Sequence, residues 1–145
     1  MDWRKAAAAD LREYRYIRDS IDNLRGQIEE LERQAHTLKG TAYDRTPVKG
    51  GTSGWEDRLI GNIDRRGRLG ENLRAVQAKV ARIERGLAAL TDRERRVLDG
   101  FYVDRRGQHV ERLCEELGYE ERNIYNIKDE ALKKFTLSMY GIVDL

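Results

Sequence analysis

The segment from residue 121 to 128 carries side chains whose chemistry suits the grooves of double-stranded DNA. Arginine pairs well with guanine and asparagine with adenine at base edges, while lysine and tyrosine bind phosphate. A glutamate can accept from a cytosine amino group, but in the first turn of a helix it also offsets the helix dipole, and we favour the second interpretation. The candidate DNA-binding residues are Glu121, Arg122, Asn123, Tyr125, Asn126 and Lys128.

A helix-turn-helix could hold these side chains out from a small core, and residues 90–135 have that layout. Thr91 followed by Glu94 is the pattern of a capping box, in which each side chain accepts a hydrogen bond from the other residue's backbone N–H. The pattern predicts a helix from residue 92 to about 102. Its wide apolar face indicates that it packs as a core helix.

Two further helices complete the predicted layout. After a turn at residues 104–107, apolar spacing predicts a short helix from about 109 to 116, and Gly118 supplies the positive φ expected just past a helix end. The last helix runs from about 120 to 136 and presents the candidate residues near its start. The residues predicted to be buried are Val110, Leu113, Cys114, Leu117, Ile124, Ile127, Ala131 and Phe135, with Leu132 flanking them.

Three stretches of this region resemble the fourth region of bacterial sigma factors. They are Leu-Thr-Asp-Arg-Glu-Arg-Arg-Val-Leu at 90–98, Val-Glu-Arg-Leu-Cys-Glu-Glu-Leu-Gly-Tyr at 110–119, and Glu-Arg-Asn-Ile-Tyr-Asn-Ile-Lys-Asp-Glu-Ala-Leu-Lys-Lys-Phe at 121–135. The last stretch, with a helical N-terminal half before it, is also similar to phage and prophage transcriptional regulators of the ArpU/RinA type. The resemblance implies that the last helix binds a promoter element and that the protein controls late phage genes.

Two long helices are predicted before this domain, from residue 2 to about 39 and from about 53 to 89. Both have apolar residues at alternating three- and four-residue spacing, as in a coiled coil. Glycines and a proline mark residues 40–54 as the linker between them. The chain is therefore predicted to be all-α, with a long coiled-coil-like helical hairpin at 1–89 and a small sigma-like helix-turn-helix domain at 90–145.

Polar residues interrupt both of these apolar seams. Asp10 fills one seam position in the first helix, and Asn62 and Arg66 fill two in the second. Nearby glycines each lower helix stability by about 1 kcal/mol, so we expect a kink or a polar register point around Asn62. The apolar seam positions are Trp3, Ala7, Tyr14, Ile17, Ile21, Leu24, Ile28, Leu31, Ala35 and Leu38 in the first helix, and Leu69, Leu73, Val76, Val80, Ile83, Leu87 and Leu90 in the second.

Composition argues against several classes of protein. The chain has no run of about 18 apolar residues that would span a membrane, and its N-terminus lacks the apolar stretch of a secretory signal. A single cysteine excludes an internal disulfide framework and fits a reducing compartment. No histidines or cysteines have metal-ligand spacing, and no catalytic arrangement has local support. We therefore expect a cytoplasmic protein with no enzymatic activity, metal or cofactor.

Charge is unevenly distributed along the chain. Residues 1–90 carry 18 Lys and Arg against 14 Asp and Glu, whereas residues 91–145 carry 10 against 12. DNA-binding domains are usually basic, because phosphate neutralisation supplies much of their affinity. We therefore expect a homodimer or higher oligomer formed through the N-terminal helices, since two half-sites bound together raise effective affinity. RNA polymerase is a second partner that these helices could contact.

Two alternatives to a DNA-binding regulator fit the same features. A phage terminase small subunit also joins a helix-turn-helix to helical oligomerisation elements, and a ring-sized assembly would indicate it. An interaction module that contacts RNA polymerase without binding DNA would explain the acidic C-terminal half. Absence of DNA binding at low salt, together with co-purification with RNA polymerase, would favour that module.

Overall fold

The computed structural model describes residues 1–43 and 54–142. Within these residues the chain is helical and has no β-strand, so the predicted all-α fold with a long first helix is confirmed. Residues 44–53 of the predicted linker lie outside the described part of the chain. The elements are α1 (Trp3–Tyr43), α2 (Gly54–Ala88), α3 (Asp92–Leu98), a π-helical segment (Asp99–Val103), α4 (His109–Leu117) and α5 (Glu121–Tyr140).

These helices form two compact units, and both α1 and α2 contribute to each. The first unit comprises Met1–Arg18 and Ala78–Leu145, and the second comprises Asp19–Gln77. This grouping differs from the division at residue 90 drawn from the sequence. The reason is that the helix-turn-helix packs on the beginning of α1 and the end of α2.

The first unit contains two hydrophobic cores that share α3. Leu98 belongs to the core formed with α1, α2 and α5, while Val97 belongs to the core of the helix-turn-helix. Helix α3 therefore connects the core of the helix-turn-helix to the core that includes α1 and α2. The first core consists of Ala7, Ala8, Leu11, Ile83, Leu90, Leu98, Ala131, Leu132, Phe135 and Met139, and the second of Val97, Phe101, Val110, Leu113 and Ile124.

Helix α5 makes a close contact with α2 at Gly86. A Cβ added at Gly86 would lie 2.9 Å from Cε2 of Phe135 and 3.1 Å from its Cδ2. Phe135 is fully buried, so its ring has little space into which it could move. The absent side chain at Gly86 is thus what allows the aromatic ring to pack on the α2 backbone.

The end of α5 contacts the beginning of α1. The Tyr140 hydroxyl donates a hydrogen bond to the buried Asp10 carboxylate, and its ring packs on Trp3 with 5.0 Å between centroids. Lys79 of α2 approaches the same carboxylate at 3.6 Å. Burial and the hydrogen bond to Asp10 raise the pKa of Tyr140 to about 12, so the phenol stays protonated and keeps donating near neutral pH. The polar seam position is thereby satisfied.

A capping box begins α3, as the sequence predicts, and it also connects α3 to α5. The backbone N–H of Glu94 donates to Thr91 Oγ1 at 3.2 Å, and the backbone N–H of Thr91 donates to Glu94 Oε1 at 3.1 Å. The other carboxylate oxygen of Glu94 accepts from Lys134 Nζ of α5 at 2.9 Å. Burial acts to raise the pKa of Glu94, but the hydrogen bonds from Lys134 and Thr91 outweigh it and leave that pKa below its ordinary value.

The second unit is held by the seam between α1 and α2, which includes a buried polar contact. Asn62 Nδ2 donates to the backbone carbonyl oxygen of Leu31 at 2.7 Å, and Asn62 Oδ1 accepts from Arg66 Nε at 2.8 Å. The sequence predicted either a kink or a polar register point around Asn62, and the contact with Leu31 is the polar register point. This contact joins α1 to α2.

Replacing Gly86 by alanine is predicted to destabilise the protein by about 2 kcal/mol, because the new methyl group overlaps the Phe135 ring. Gly26→Ala in α1 is the matched control, since nothing lies within 4 Å of a Cβ at that position. It should stabilise the helix by about 1 kcal/mol. Urea unfolding of both variants measures the difference. Equal stabilisation by the two substitutions would contradict the tight contact at Gly86.

Replacing Glu94 by glutamine is predicted to lower stability by about 1 to 2 kcal/mol at neutral pH, because it weakens the cap and removes the ion pair with Lys134. The folded pKa of Glu94 lies below its ordinary value of 4.5, so its contribution is present above that pH and is lost as pH falls through the folded pKa. Thermal unfolding between pH 3 and 7 should therefore show a smaller gap between variant and parent in acid. Glu115→Gln, at an exposed position, should change neither the stability nor its pH dependence.

Candidate nucleic-acid interface

The turn between α4 and α5 sets the direction in which α5 leaves the core. Gly118 has φ +72°, and its N–H donates to the carbonyl oxygen of Cys114 at 2.9 Å. This confirms the left-handed helix end predicted from the sequence. Glu120 then has an extended backbone and offers no side-chain cap, so α5 begins at Glu121 with its first N–H groups uncapped by that side chain. Such N–H groups can donate to a phosphate.

A π-helical segment and a glycine position α4 against α3. The backbone N–H of Asp104 donates to the carbonyl oxygen of Asp99 at 2.8 Å, which closes one wide helical turn. Within that turn, a Cβ added at Gly100 would lie 3.0 Å from Leu113 of α4. The helix predicted from residue 92 to about 102 thus has the expected length. Its second half is π-helical and packs closely on α4.

An ion pair also joins α3 to α4. Arg96 donates from Nε to the two carboxylate oxygens of Glu116 at 2.9 and 3.0 Å, and its terminal nitrogen lies 2.7 Å from the same carboxylate. The hydrogen bonds from Arg96 hold the pKa of Glu116 below its ordinary value. Glu116 therefore has a structural partner, and its charge is partly neutralised within the protein.

Most of the candidate residues predicted from the sequence lie together on the exposed face of α5. Glu121, Arg122, Asn123 and Asn126 are exposed, and Tyr125 is 40% exposed. Their neighbours Ile124 and Ala131 are buried, as the apolar spacing predicts. Arg122 has no ion pair or hydrogen-bond partner among the described residues, so its guanidinium is available to a ligand.

Lys128 differs from the other candidate residues because it is held within the domain. Its ammonium lies 2.8 Å from Asp129 Oδ1 and 5.7 Å from the ring centroids of both Phe101 and Tyr125, and its side chain is only 20% exposed. Phe101 in turn contacts Tyr125 edge-on, with 5.6 Å between centroids. Lys128 and Phe101 together therefore fix the orientation of the Tyr125 ring.

Sequence reasoning did not select the basic residues at the beginning of α4. Arg105 is exposed, and Arg112 Nε donates to the carbonyl oxygen of Gly107 at 3.0 Å. His109 beside them packs edge-on against Phe101 at 4.9 Å. Burial, and then the positive charge of Arg105, lower the pKa of His109. The sequence feature that could have indicated them is the Arg105-Arg106 pair, which lies in the predicted turn just before a short helix.

Part of the acidic charge of the helix-turn-helix is paired within the protein. Glu94 pairs with Lys134, Glu116 with Arg96, and Asp104 with both Arg15 and Arg106. These carboxylates hold helices together and are not available to repel a phosphate at full strength. The acidic residues that remain exposed without a described ion pair or hydrogen bond are Glu111, Glu115, Glu120, Glu121 and Glu130.

Comparison of the chain with family models, curated proteins and solved structures found no match.

In residues 1–43 and 54–142 no helix is long and apolar enough to cross a membrane. The same residues contain no group of three or more His, Cys, Asp or Glu side chains placed to hold a metal ion. The single cysteine, Cys114, is half-buried on α4.

Replacing Gly118 by alanine is predicted to destabilise the helix-turn-helix by about 1 kcal/mol, because the left-handed backbone places Cβ too close to the following carbonyl oxygen. Gly107→Ala is the matched control, since it also has open space around it and lacks a positive φ. It should alter stability by less than about 0.5 kcal/mol. Thermal unfolding of the two variants distinguishes them. Identical melting temperatures would show that the turn tolerates a side chain.

Proposed function

We propose that this protein is a sequence-specific DNA-binding transcriptional regulator of the ArpU/RinA type, encoded by a phage or prophage and acting in the cytoplasm without enzymatic activity. The observation that carries the proposal is the exposed face of α5. It presents an arginine without a partner among the described residues, and two asparagines, on a helix whose opposite face is buried. Side chains of these types make hydrogen bonds to purine edges in the major groove.

In this proposal α5 lies in the major groove with its N-terminal turns against the bases. Arg122 donates both ends of its guanidinium to a guanine, and Asn123 or Asn126 pairs with an adenine. The Tyr125 hydroxyl, held by Phe101 and Lys128, donates to a phosphate. Lys128 thus acts chiefly by supporting Tyr125.

Basic residues outside α5 supply further phosphate contacts. Arg105 and Arg112 flank the beginning of α4 and could bind the DNA backbone on one side of the groove. The exposed carboxylates Glu111 and Glu115 on the same helix weaken this attraction. One copy is therefore expected to bind weakly, and association through α1 and α2 would raise affinity by joining two half-sites.

Replacing Arg122 by alanine is predicted to weaken binding to the preferred DNA site by about 10- to 100-fold, because one bidentate base contact contributes roughly 1 to 3 kcal/mol. Asn123→Ala should reduce discrimination at a different base pair. The preferred site is first identified by sequencing host DNA that the purified protein retains. Fluorescence anisotropy over a range of salt concentrations then measures affinity, which should fall steeply as salt rises.

Arg25→Ala is the matched control, since it removes the same charge from an exposed position on α1 within the second unit. It should leave specificity unchanged. Unchanged binding by both Arg122→Ala and Asn123→Ala would show that α5 is not the recognition helix. No DNA binding at low salt, with retention of RNA polymerase, would instead favour an interaction module that uses Glu111 and Glu115. A ring-sized assembly would favour a terminase small subunit.

A further inference from the structure

Helix α2 carries a second stripe of residues that does not face α1. Its members recur at alternating four- and three-residue spacing and lie within an arc of roughly 80° on the helix. Ile60 is 64% exposed and Ile63 is 53% exposed, although both belong to a helix whose other large apolar residues are half-buried or buried. The stripe consists of Glu56, Ile60, Ile63, Gly67, Gly70 and Arg74.

The two glycines of this stripe are not required by packing within the described chain. A Cβ added at Gly67 would meet nothing within 4 Å, and one at Gly70 would meet only the flexible end of Arg74 at 3.6 Å. Glycine inside a helix is less favourable than alanine. The two glycines therefore keep this surface shallow at a cost in helix stability, and no contact among residues 1–43 and 54–142 explains them.

The two halves of the stripe are complementary to each other. If a second α2 runs antiparallel across the first, with a two-fold axis near Arg65, Ile60 lies opposite Gly70 and Ile63 lies opposite Gly67. Each protruding isoleucine then faces a glycine hole. We propose that a second copy of this chain docks on this stripe, so that α2 packs against α2 in a symmetric dimer.

Charge complementarity supports the same alignment. The register that pairs isoleucines with glycines also places Glu56 of each copy opposite Arg74 of the other, at the two ends of the stripe. Neither side chain has an ion pair or hydrogen-bond partner among the described residues. A two-fold interface requires one surface to complement itself, with residue i contacting j and j contacting i. The stripe meets this requirement in both size and charge, which is why its occupant is a second copy and not a different protein.

All residues of the stripe belong to the second unit, and none belongs to the helix-turn-helix. The inference does not rest on DNA binding, because dimer formation is measured without DNA. If dimerisation fails while DNA binding persists, this interface is wrong and the proposed function stands. If DNA binding fails while the dimer forms, the proposed function is wrong and this interface stands.

A charge exchange tests the alignment directly. Sedimentation equilibrium of the full chain should show a concentration-dependent dimer. Glu56→Arg and Arg74→Glu should each raise the dimer dissociation constant by about tenfold, because two symmetry-related pairs become repulsive. A chain carrying both substitutions should recover to within about threefold of the parent, since opposite charges face each other again. Glu32→Arg, at an exposed position on α1, is the control and should have no effect.

A second variant separates association from folding. Gly67→Leu should raise the melting temperature of the dilute, monomeric protein, because it improves helix propensity in open space. The same leucine should abolish the dimer, because it fills the hole that receives Ile63. A parent protein that stays monomeric at all concentrations overturns the inference. So does a dimer that Gly67→Leu leaves intact, or a double charge variant no better than the single ones.

Discussion

The orientation of the exposed face of α5 depends on the packing of Phe135 against Gly86. Helix α5 is one continuous helix from Glu121 to Tyr140, and its second half is fixed in the core by that contact. A helix transmits rotation along its axis, because its backbone hydrogen bonds resist local twisting. The direction in which Arg122 points is therefore determined several turns away. The core and the candidate site are two parts of one rigid element.

Several acidic residues between 91 and 145 form ion pairs that join helices, in addition to contributing to the net charge of this region. A count of charges along residues 91–145 suggests a domain poorly suited to DNA, with fewer basic than acidic residues. The structure shows that Glu94 and Glu116 hold helices together through Lys134 and Arg96. The attraction of a phosphate to the domain depends on the unpaired charges near the phosphate, and the net charge of the domain is a poor measure of these. The exposed acids on α4 and α5 would oppose the phosphate attraction that the proposed function requires.

The features that could be predicted from the sequence are local or periodic. The cap at Thr91 and the left-handed Gly118 depend on a few neighbouring residues. The apolar spacing identified buried residues such as Leu113, Ile124 and Phe135, although not Leu11 of α1. The interruption at Asn62 was visible because it broke a regular pattern. In each case the relevant physics acts within a few turns of one helix.

Other features depend on residues that are distant in the sequence and could not be predicted in this way. Gly86 is one glycine among several in the long helices, and only its contact with Phe135 distinguishes it. The π-helical turn accommodates Leu113 against Gly100, and Lys128 is withdrawn from solvent by Phe101. The grouping of the beginning of α1 with the helix-turn-helix likewise arises from tertiary packing.

That last grouping has a consequence for how the protein is made. Trp3 and Asp10 are synthesised well before their partner Tyr140, which lies 130 residues after Asp10 in the sequence. The first unit cannot close until α5 has been synthesised, because Ala131, Leu132, Phe135 and Met139 of that helix complete its core. The second unit, which is continuous in sequence, can form earlier. Until synthesis reaches Tyr140, the apolar residues at the start of α1 would have to remain uncovered or be shielded by a chaperone.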